Sequence, residues 1–141
     1  MNIRRATMKD LEDIVAIELE NFSPEEAIDK TVLAKHIETF HNSFIVAEKD
    51  GQLLGYLEGP VTQTRHVEDR SFTADVKDES HLPGGYITLT SLSISPSAFY
   101  FSQGKHHFFP YFWITGFHSI FPSGFAFSPH FDALSYKSSN A

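Results

Sequence analysis

The sequence predicts an α/β (α+β) fold in which helices flank a central sheet. Three stretches predict it: two capped amphipathic segments fill the first 40 residues, a hairpin signature surrounds Asp50-Gly51, and a β-rich run ends at Pro96. A chain of 141 residues suits one domain, 1–141, with a moderate core. Composition nevertheless divides it. Ten of the 14 phenylalanines lie between Phe99 and Phe131, and after Pro96 only Lys105, Asp132 and Lys137 carry charge. Residues 1–96 are patterned like an ordinary domain, whereas 97–141 form an aromatic-rich, atypical tail.

Asn2 to Ala6 reads as a first strand. Thr7 is placed to cap a helix, with Asp10 at the third helical position in a shortened capping box. Met8, Leu11, Ile14, Val15 and Ile17 then recur at helical spacing opposite Lys9, Glu12 and Asp13, and the helix is expected to end near Glu20 to Phe22. Ser23-Pro24-Glu25-Glu26 reads as a second helix start, with Ser23 as cap, Pro24 at the first helical position and Glu26 reaching back. Leu33, Ile37 and Phe40 carry its apolar face on to about residue 40, bordered by His36 in a structural or exposed role.

Ser43 to Glu48 reads as a strand with Phe44 and Val46 on one face and Ile45 and Ala47 on the other, so it is central in a sheet covered on both sides. Asp50-Gly51 tolerates the positive φ of a tight hairpin turn, Gln52 to Glu58 returns, and Gly59-Pro60 stops the strand. Val61 to Pro83 is a long polar connection containing His66 and His81, open to two readings: a flexible insertion or a substrate-side flap. Tyr86 to Ser95 is the clearest strand, but its alternation changes phase between Ile87/Leu89 and Leu92/Ile94. Either a bulge near Thr90-Ser91 restores one buried face, or the strand is apolar on both. Beyond Pro96 the rings are interrupted by Gly104, Pro110, Gly116, Pro122, Gly124 and Pro129, and only strand fragments are expected.

Several chemistries are disfavoured at once. The chain has no cysteine, hence no disulfide, thiolate nucleophile or cysteine-based zinc site. A net charge of -7 disfavours nucleic acid and favours small cationic substrates. No apolar run has membrane-spanning length and the start lacks a signal-peptide core, so a cytoplasmic protein without a membrane partner is expected. Eight histidines include the adjacent His106-His107, but no HExxH or calcium-loop spacing occurs, and no metal is expected. No GxSxG nominates a serine hydrolase.

The pieces Ile3-Arg4-Arg5-Ala6 with Asp10, Phe44-Ile45-Val46-Ala47-Glu48 with Gly51, Leu54-Gly55-Tyr56 and Gly59, and Leu89 to Pro96 occur in an order and spacing that resembles the GCN5-related N-acetyltransferase (GNAT) family. Within it, Asn21 to Glu26 and Gly59-Pro60 with the long connection resemble the arylalkylamine N-acetyltransferases and their bacterial relatives. The resemblance implies a GNAT-like mixed central sheet, acetyl-coenzyme A as cofactor, and acetyl transfer to the primary amine of a small molecule by direct attack in a ternary complex. It implies that backbone groups around Leu92, Ser93 and Ile94 hold the pantetheine arm and thioester, and that Phe22, Glu25 and Thr88 face the amine. Thr88 and Thr90 look like the positions of two histidines that relay the amine's proton in the animal enzymes. Threonine is no base near neutral pH, though its hydroxyl can hold a water, so Thr90 enters as the catalytic candidate.

The family's Gln/Arg-x-x-Gly-x-Gly/Ala phosphate cradle has its best counterpart in Phe101-Ser102-Gln103-Gly104-Lys105-His106, which gives Gly104 and Lys105 to the pyrophosphate. Here Phe101 replaces the leading polar residue, His106 replaces the small one, and the spacing from Ser95 is too long. Tyr136 is the candidate acid for the departing thiolate, and a homodimer is the expected assembly. The alternative is a catalytically inactive GNAT-like relic, or a coenzyme-binding or protein-interaction module with a defective pyrophosphate loop. A shifted or corrupted reading frame after Pro96 would account for the abrupt loss of charge and periodicity. One uninterrupted native frame through Ala141 in the source DNA refutes that explanation.

Overall fold

The computed structural model describes residues 1–96 and Ala98, together with the backbone of two short strands, Phe125–Ala126 and Ser135–Tyr136. In chain order the elements are β1 (Asn2–Arg5), α1 (Leu11–Asn21), α2 (Lys30–Thr39), β2 (Phe44–Lys49), β3 (Gln52–Glu58), β4 (Val61–Thr62), β5 (Tyr86–Ile87), β6 (Ser91–Ile94), β7 (Phe125–Ala126) and β8 (Ser135–Tyr136). Short 3-10 turns occupy Met8–Asp10 and Asp69–Phe72. The central sheet has the order β1-β2-β3-β6, and β4-β5 and β7-β8 form separate two-stranded pairs. Every pairing among the described residues is antiparallel. The candidate pyrophosphate residues Gly104 and Lys105, like the side chain of Tyr136, lie outside the described residues.

The two-sided burial read from β2 is present. Phe44, Val46 and Tyr56 join Leu11, Ile14, Ile17, Leu33 and Phe40 on the helix-covered face. Ile45, Ala47 and Leu57 gather Ile3, Leu89 and Ile94 on the other. Register makes this so: Val46 stands opposite Tyr56 and Ile45 opposite Leu57, and side chains alternate faces along each strand. The hairpin turn has positive φ at both central residues, 51° at Asp50 and 77° at Gly51, as the Asp-Gly pair predicts.

The start of α1 carries the predicted capping pair. The Thr7 N–H and hydroxyl donate to Asp10 Oδ2 at 2.7 and 3.0 Å. Arg4 closes a two-pronged grip on the same carboxylate, 2.8 Å per contact, and reaches Glu48 Oε2 at 2.8 Å. The Arg4 hydrogen bonds, helped by Thr7 and opposed by burial, hold the Asp10 carboxyl down at about 2. This grip ties β1, the entry to α1 and β2 together.

The second helix corrects its sequence reading. It begins at Lys30 rather than at Pro24, with Asp29 as cap accepting the Thr31 N–H at 2.7 Å. Ser23 to Ala27 is a turn instead, its Glu26 and Ala27 N–H groups donating to the Ser23 carbonyl at 3.0 and 2.9 Å. The physical cause is a competitor for one N–H. A continuous helix would direct the Ile28 N–H to Pro24, but the Glu18 carboxylate takes it at 3.1 Å.

Of the two readings of the Tyr86 to Ser95 strand, the register fits the bulge near Thr90-Ser91. Val61 pairs with Ile87 and Glu58 with Ser91, so three steps along one strand match four along the other. The extra residue sits at Thr90-Ser91, both of which oppose Glu58: the Thr90 N–H donates to the Glu58 carbonyl at 3.0 Å, and Ser91 is its ladder partner. Gly59 permits this approach, since a Cβ there would lie 1.8 Å from the Thr88 carbonyl oxygen. The long connection is fastened to the sheet end. Val61 and Gln63 N–H groups donate to Asp78 and Glu79 carboxylates at 2.8 Å, and Val76 is buried in the core.

Candidate active site

Three ionisable residues occupy positions that the apolar pattern reserves for the core. Glu18 follows Ile14 by one helical turn, His36 lies between Leu33 and Phe40 on the buried stripe of α2, and Glu58 continues the inward parity of Tyr56 along β3. Their relative exposures are 2%, 0% and 0%. Such groups persist in a core only when hydrogen-bonded or paired.

Glu18 is satisfied by neutral donors. The Tyr56 hydroxyl and the Ser93 hydroxyl (3.1 Å) donate to Oε2, and the Ile28 N–H to Oε1. The Tyr56 hydroxyl also meets Ser91 Oγ at 3.2 Å. Burial first, and then the bond to Glu18, pushes the Tyr56 phenol far above its usual range, so it stays protonated.

Glu58 is satisfied differently. Its Oε2 lies 2.6 Å from His36 Nδ1, and its Oε1 accepts the Thr90 hydroxyl at 3.1 Å. His36 Nε2 faces the Thr73 carbonyl at 2.9 Å. A carbonyl only accepts, so Nε2 carries a hydrogen. Burial pushes His36 downward, but the hydrogen bond and charge of Glu58, with the Thr73 carbonyl, outweigh it and the net shift is upward. The pairing with Glu58 thereby favours the protonated imidazole. Tyr56 and Glu58 are two residues apart on one strand, so both networks run along one face and end on the same bulge, at Ser91 and Thr90.

The candidates from sequence take these places. Thr90 is half-buried at the bulge and bonded to Glu58. Thr88 is buried, its N–H on the Pro60 carbonyl at 2.9 Å and its hydroxyl 3.4 Å from that of Thr62. Ser93 directs its hydroxyl to Glu18, while Leu92 is 43% exposed on the opposite face. The Ser95 N–H donates to the Leu54 carbonyl at 2.8 Å, and by antiparallel alternation the Ser93 peptide turns toward β3 while those of Leu92 and Ile94 turn away from it. The end of α1 is pinned to the end of β6 by Asn21 Nδ2 on the Ile94 carbonyl (3.0 Å) and by Ser95 Oγ on Glu20 (2.9 Å). Phe22 follows this anchor, partly exposed, and Glu25 is exposed in the next turn. The structure thus gathers Thr90 and Ser93 around Glu18, Tyr56 and Glu58, and sets Phe22 and Glu25 on the segment leaving α1. The backbone of β8, which carries Tyr136, lies against β5.

Glu18, Tyr56 and Glu58 were not nominated from sequence, and His36 was read only as bordering the core. The available signal was a charged residue on a buried-parity position in each element. Among the described residues no three His, Asp or Glu side chains are grouped to hold a metal, and no helix is long and apolar enough to cross a membrane.

No protein-family model matches the chain, and no curated protein matches it. Solved structures do match it. One is the GphF GNAT-like decarboxylase in complex with isobutyryl-CoA, with a TM-score of 0.65 and 18% identity over 85% of this chain and 58% of that one. Another is the loading GNATL domain of CurA from Lyngbya majuscula, with a TM-score of 0.57 and 18% identity over 68% of this chain and 48% of that one. This chain therefore spans about half the length of the proteins it matches. The likeness is one of fold: a mixed α/β arrangement with a central sheet flanked by helices, as in these two GNAT-like proteins.

Proposed function

We propose that this chain transfers an acetyl group from acetyl-coenzyme A to the primary amine of a small molecule, the amine attacking directly while both are bound. The observation that carries the reading is the Thr90-Ser91 bulge, where two buried carboxylate networks reach the strand that runs on into β6. A GNAT-like fold that holds isobutyryl-CoA in GphF supports a coenzyme A thioester as the donor. The amine acceptor rests on the likeness of Asn21 to Glu26 and of the long connection to the arylalkylamine enzymes, and on the net charge of -7, which favours a cation.

The residues present fit the coenzyme at one described place. The Leu92 peptide groups and the Ile94 N–H, turned away from β3, suit the amide-bearing pantetheine arm, with Ser93 between them fixed by Glu18 and the Ile94 carbonyl held by Asn21. Gly104 and Lys105 are proposed for the pyrophosphate, by resemblance. When bound, the coenzyme supplies an activated acyl thioester. The chain's own residues then orient and exclude. The bulge presents peptide groups outside the regular ladder, where a donor can face the charge that develops on a carbonyl oxygen. Phe22 offers the amine an apolar contact, Glu25 a negative charge and Thr88 a wall, while Thr90 stands beside the attacking nitrogen. Tyr136 is proposed to protonate the leaving thiolate. The enzyme is proposed to be a cytoplasmic homodimer.

Calorimetric titration with acetyl-coenzyme A tests the donor site, and a panel of tryptamine-like, phenethylamine-like and polyamine compounds tests the acceptor. Saturable binding followed by turnover is expected. Binding without turnover on any amine leaves a coenzyme-binding module, and no binding by the folded protein removes the enzyme.

A further inference from the structure

The hydroxyl at the bulge raises a problem of proton balance. An alkylammonium must lose a proton before its nitrogen attacks, and a threonine hydroxyl passes a proton on only if another group takes its own hydrogen. The Thr90 hydroxyl has such a group. It lies 3.1 Å from Glu58 Oε1 and 3.2 Å from the Glu58 carbonyl oxygen, so its hydrogen can turn to either, and the carboxylate is fixed from its other side by His36 Nδ1 at 2.6 Å from Oε2. The imidazole is itself anchored by Thr73 at 2.9 Å, so neither side chain is free to turn away from Thr90. The other titratable groups facing Glu58 are Tyr56 on its own strand, held protonated, and beyond it Glu18 of α1, which is occupied by three donors.

We infer that Glu58 is the acceptor of the substrate amine's proton, reached through the Thr90 hydroxyl, and that His36 is the positioning residue that aims it. This rests on the acyl-transfer reading above. In the step, an ammonium N–H bond breaks to Thr90 Oγ1 while the Thr90 O–H bond breaks to Glu58 Oε1. The amine ends neutral and Thr90 is unchanged. Glu58 ends as a neutral acid that still accepts from His36 through Oε2 and returns its proton to solvent after turnover. No oxidant or further reactant is needed. The arrangement explains how a threonine can occupy a relay position without being a base: the base lies one hydrogen bond deeper, on the neighbouring strand.

The test compares the full chain with Thr90→Val, Thr90→Ser, Glu58→Gln and the Thr90→Val/Glu58→Gln double variant, after calorimetry has measured acetyl-coenzyme A binding. Thr90→Val is expected to lower kcat about 100-fold, with the KM for acetyl-coenzyme A unchanged. Thr90→Ser restores the rate, because it restores the hydroxyl. The double variant falls no further than Glu58→Gln alone, since both lie on one proton path. Nitrogen-15 NMR of His36 provides a readout independent of activity: Thr90→Val keeps the wild-type imidazole shifts, showing the His36–Glu58 contact still assembled. Should Glu58→Gln fail to fold, the Thr90 pair decides alone. Wild-type kcat in Thr90→Val, or losses that multiply in the double variant, overturns the relay while leaving acyl transfer standing. Absent acetyl-coenzyme A binding in the folded wild type overturns the acyl-transfer reading and the relay with it.

Discussion

Gly59→Ala is the sharpest single test of how the bulge is built. The added Cβ would lie 1.8 Å from the Thr88 carbonyl oxygen and 2.7 Å from its carbon. Carbon and oxygen approach in favourable contact only to roughly 3.3 Å, so one strand must retreat by more than about 1 Å. The obstacle is backbone and cannot swing aside. It is held by the Thr88 N–H on Pro60 (2.9 Å) and the Thr90 N–H on Glu58 (3.0 Å). Losing both bonds costs about 2 kcal/mol, and overpacking strain adds about 1–3 kcal/mol. Reduced freedom of the unfolded chain returns about 0.5–1 kcal/mol, which leaves a net loss of about 3 kcal/mol. Urea unfolding should show a lower midpoint at unchanged slope, and amide exchange should accelerate at Thr88 and Thr90. A variant with wild-type midpoint and wild-type protection at both amides refutes the close approach. Gly51→Ala is the contrast: at φ 77° with nothing within 4 Å, its cost is conformational and leaves those amides untouched.

Further outcomes follow from the paired charges. His36 is raised in the folded state, so its contribution to stability is complete below its unfolded value near 6.5 and is lost as pH rises through the folded value. Unfolding series from pH 6 to 9 should therefore show wild type losing stability relative to His36→Gln, and a constant difference would count against the buried ion pair. Asp10 is depressed to about 2, so its contribution is present above its unfolded value near 3.9 and is lost as pH falls toward 2. Asp10→Asn should cost about 2 kcal/mol at neutral pH and flatten that acid limb, and thermal melts at both pH values check it. Tyr56→Phe and Ser93→Ala each remove one donor from the buried Glu18 carboxylate and should each cost about 1–3 kcal/mol. A double-mutant cycle should find them non-additive, whereas strict additivity separates the two contacts.

Much of the framework was legible because it is encoded locally. Asp50-Gly51 declares its turn through two residues that accept positive φ, and the phase change between Leu89 and Leu92 announces the Thr90-Ser91 bulge. The misplaced start of α2 shows where local signals lose. Ser23-Pro24-Glu25-Glu26 is a good cap sequence, but Asp29 is another, and a carboxylate ten residues earlier claims the Ile28 N–H. The site was less legible for the same reason. A glutamate on an apolar stripe looks alike whether it borders the core or enters it, and what decides is a partner remote in the chain: Ser93 for Glu18, Thr90 for Glu58. The family resemblance singles out Thr90 and its strand, and names no carboxylate behind it, because Glu58 sits on β3.

The separation between Glu18 and its donor Ser93, 75 residues along the chain, has a consequence for the order of assembly. During synthesis α1, α2 and the β2–β3 hairpin emerge well before β6, and their apolar faces are complete enough to meet. Closing them at that moment would enclose Glu18 without the Ser93 hydroxyl and Glu58 without the Thr90 hydroxyl, at the cost of under-bonded carboxylates. The early intermediate is thereby discouraged from sealing its own interior. Docking of the bulged strand becomes the event that locks helices and hairpin together, and among the described strands of the central sheet it is the last to close.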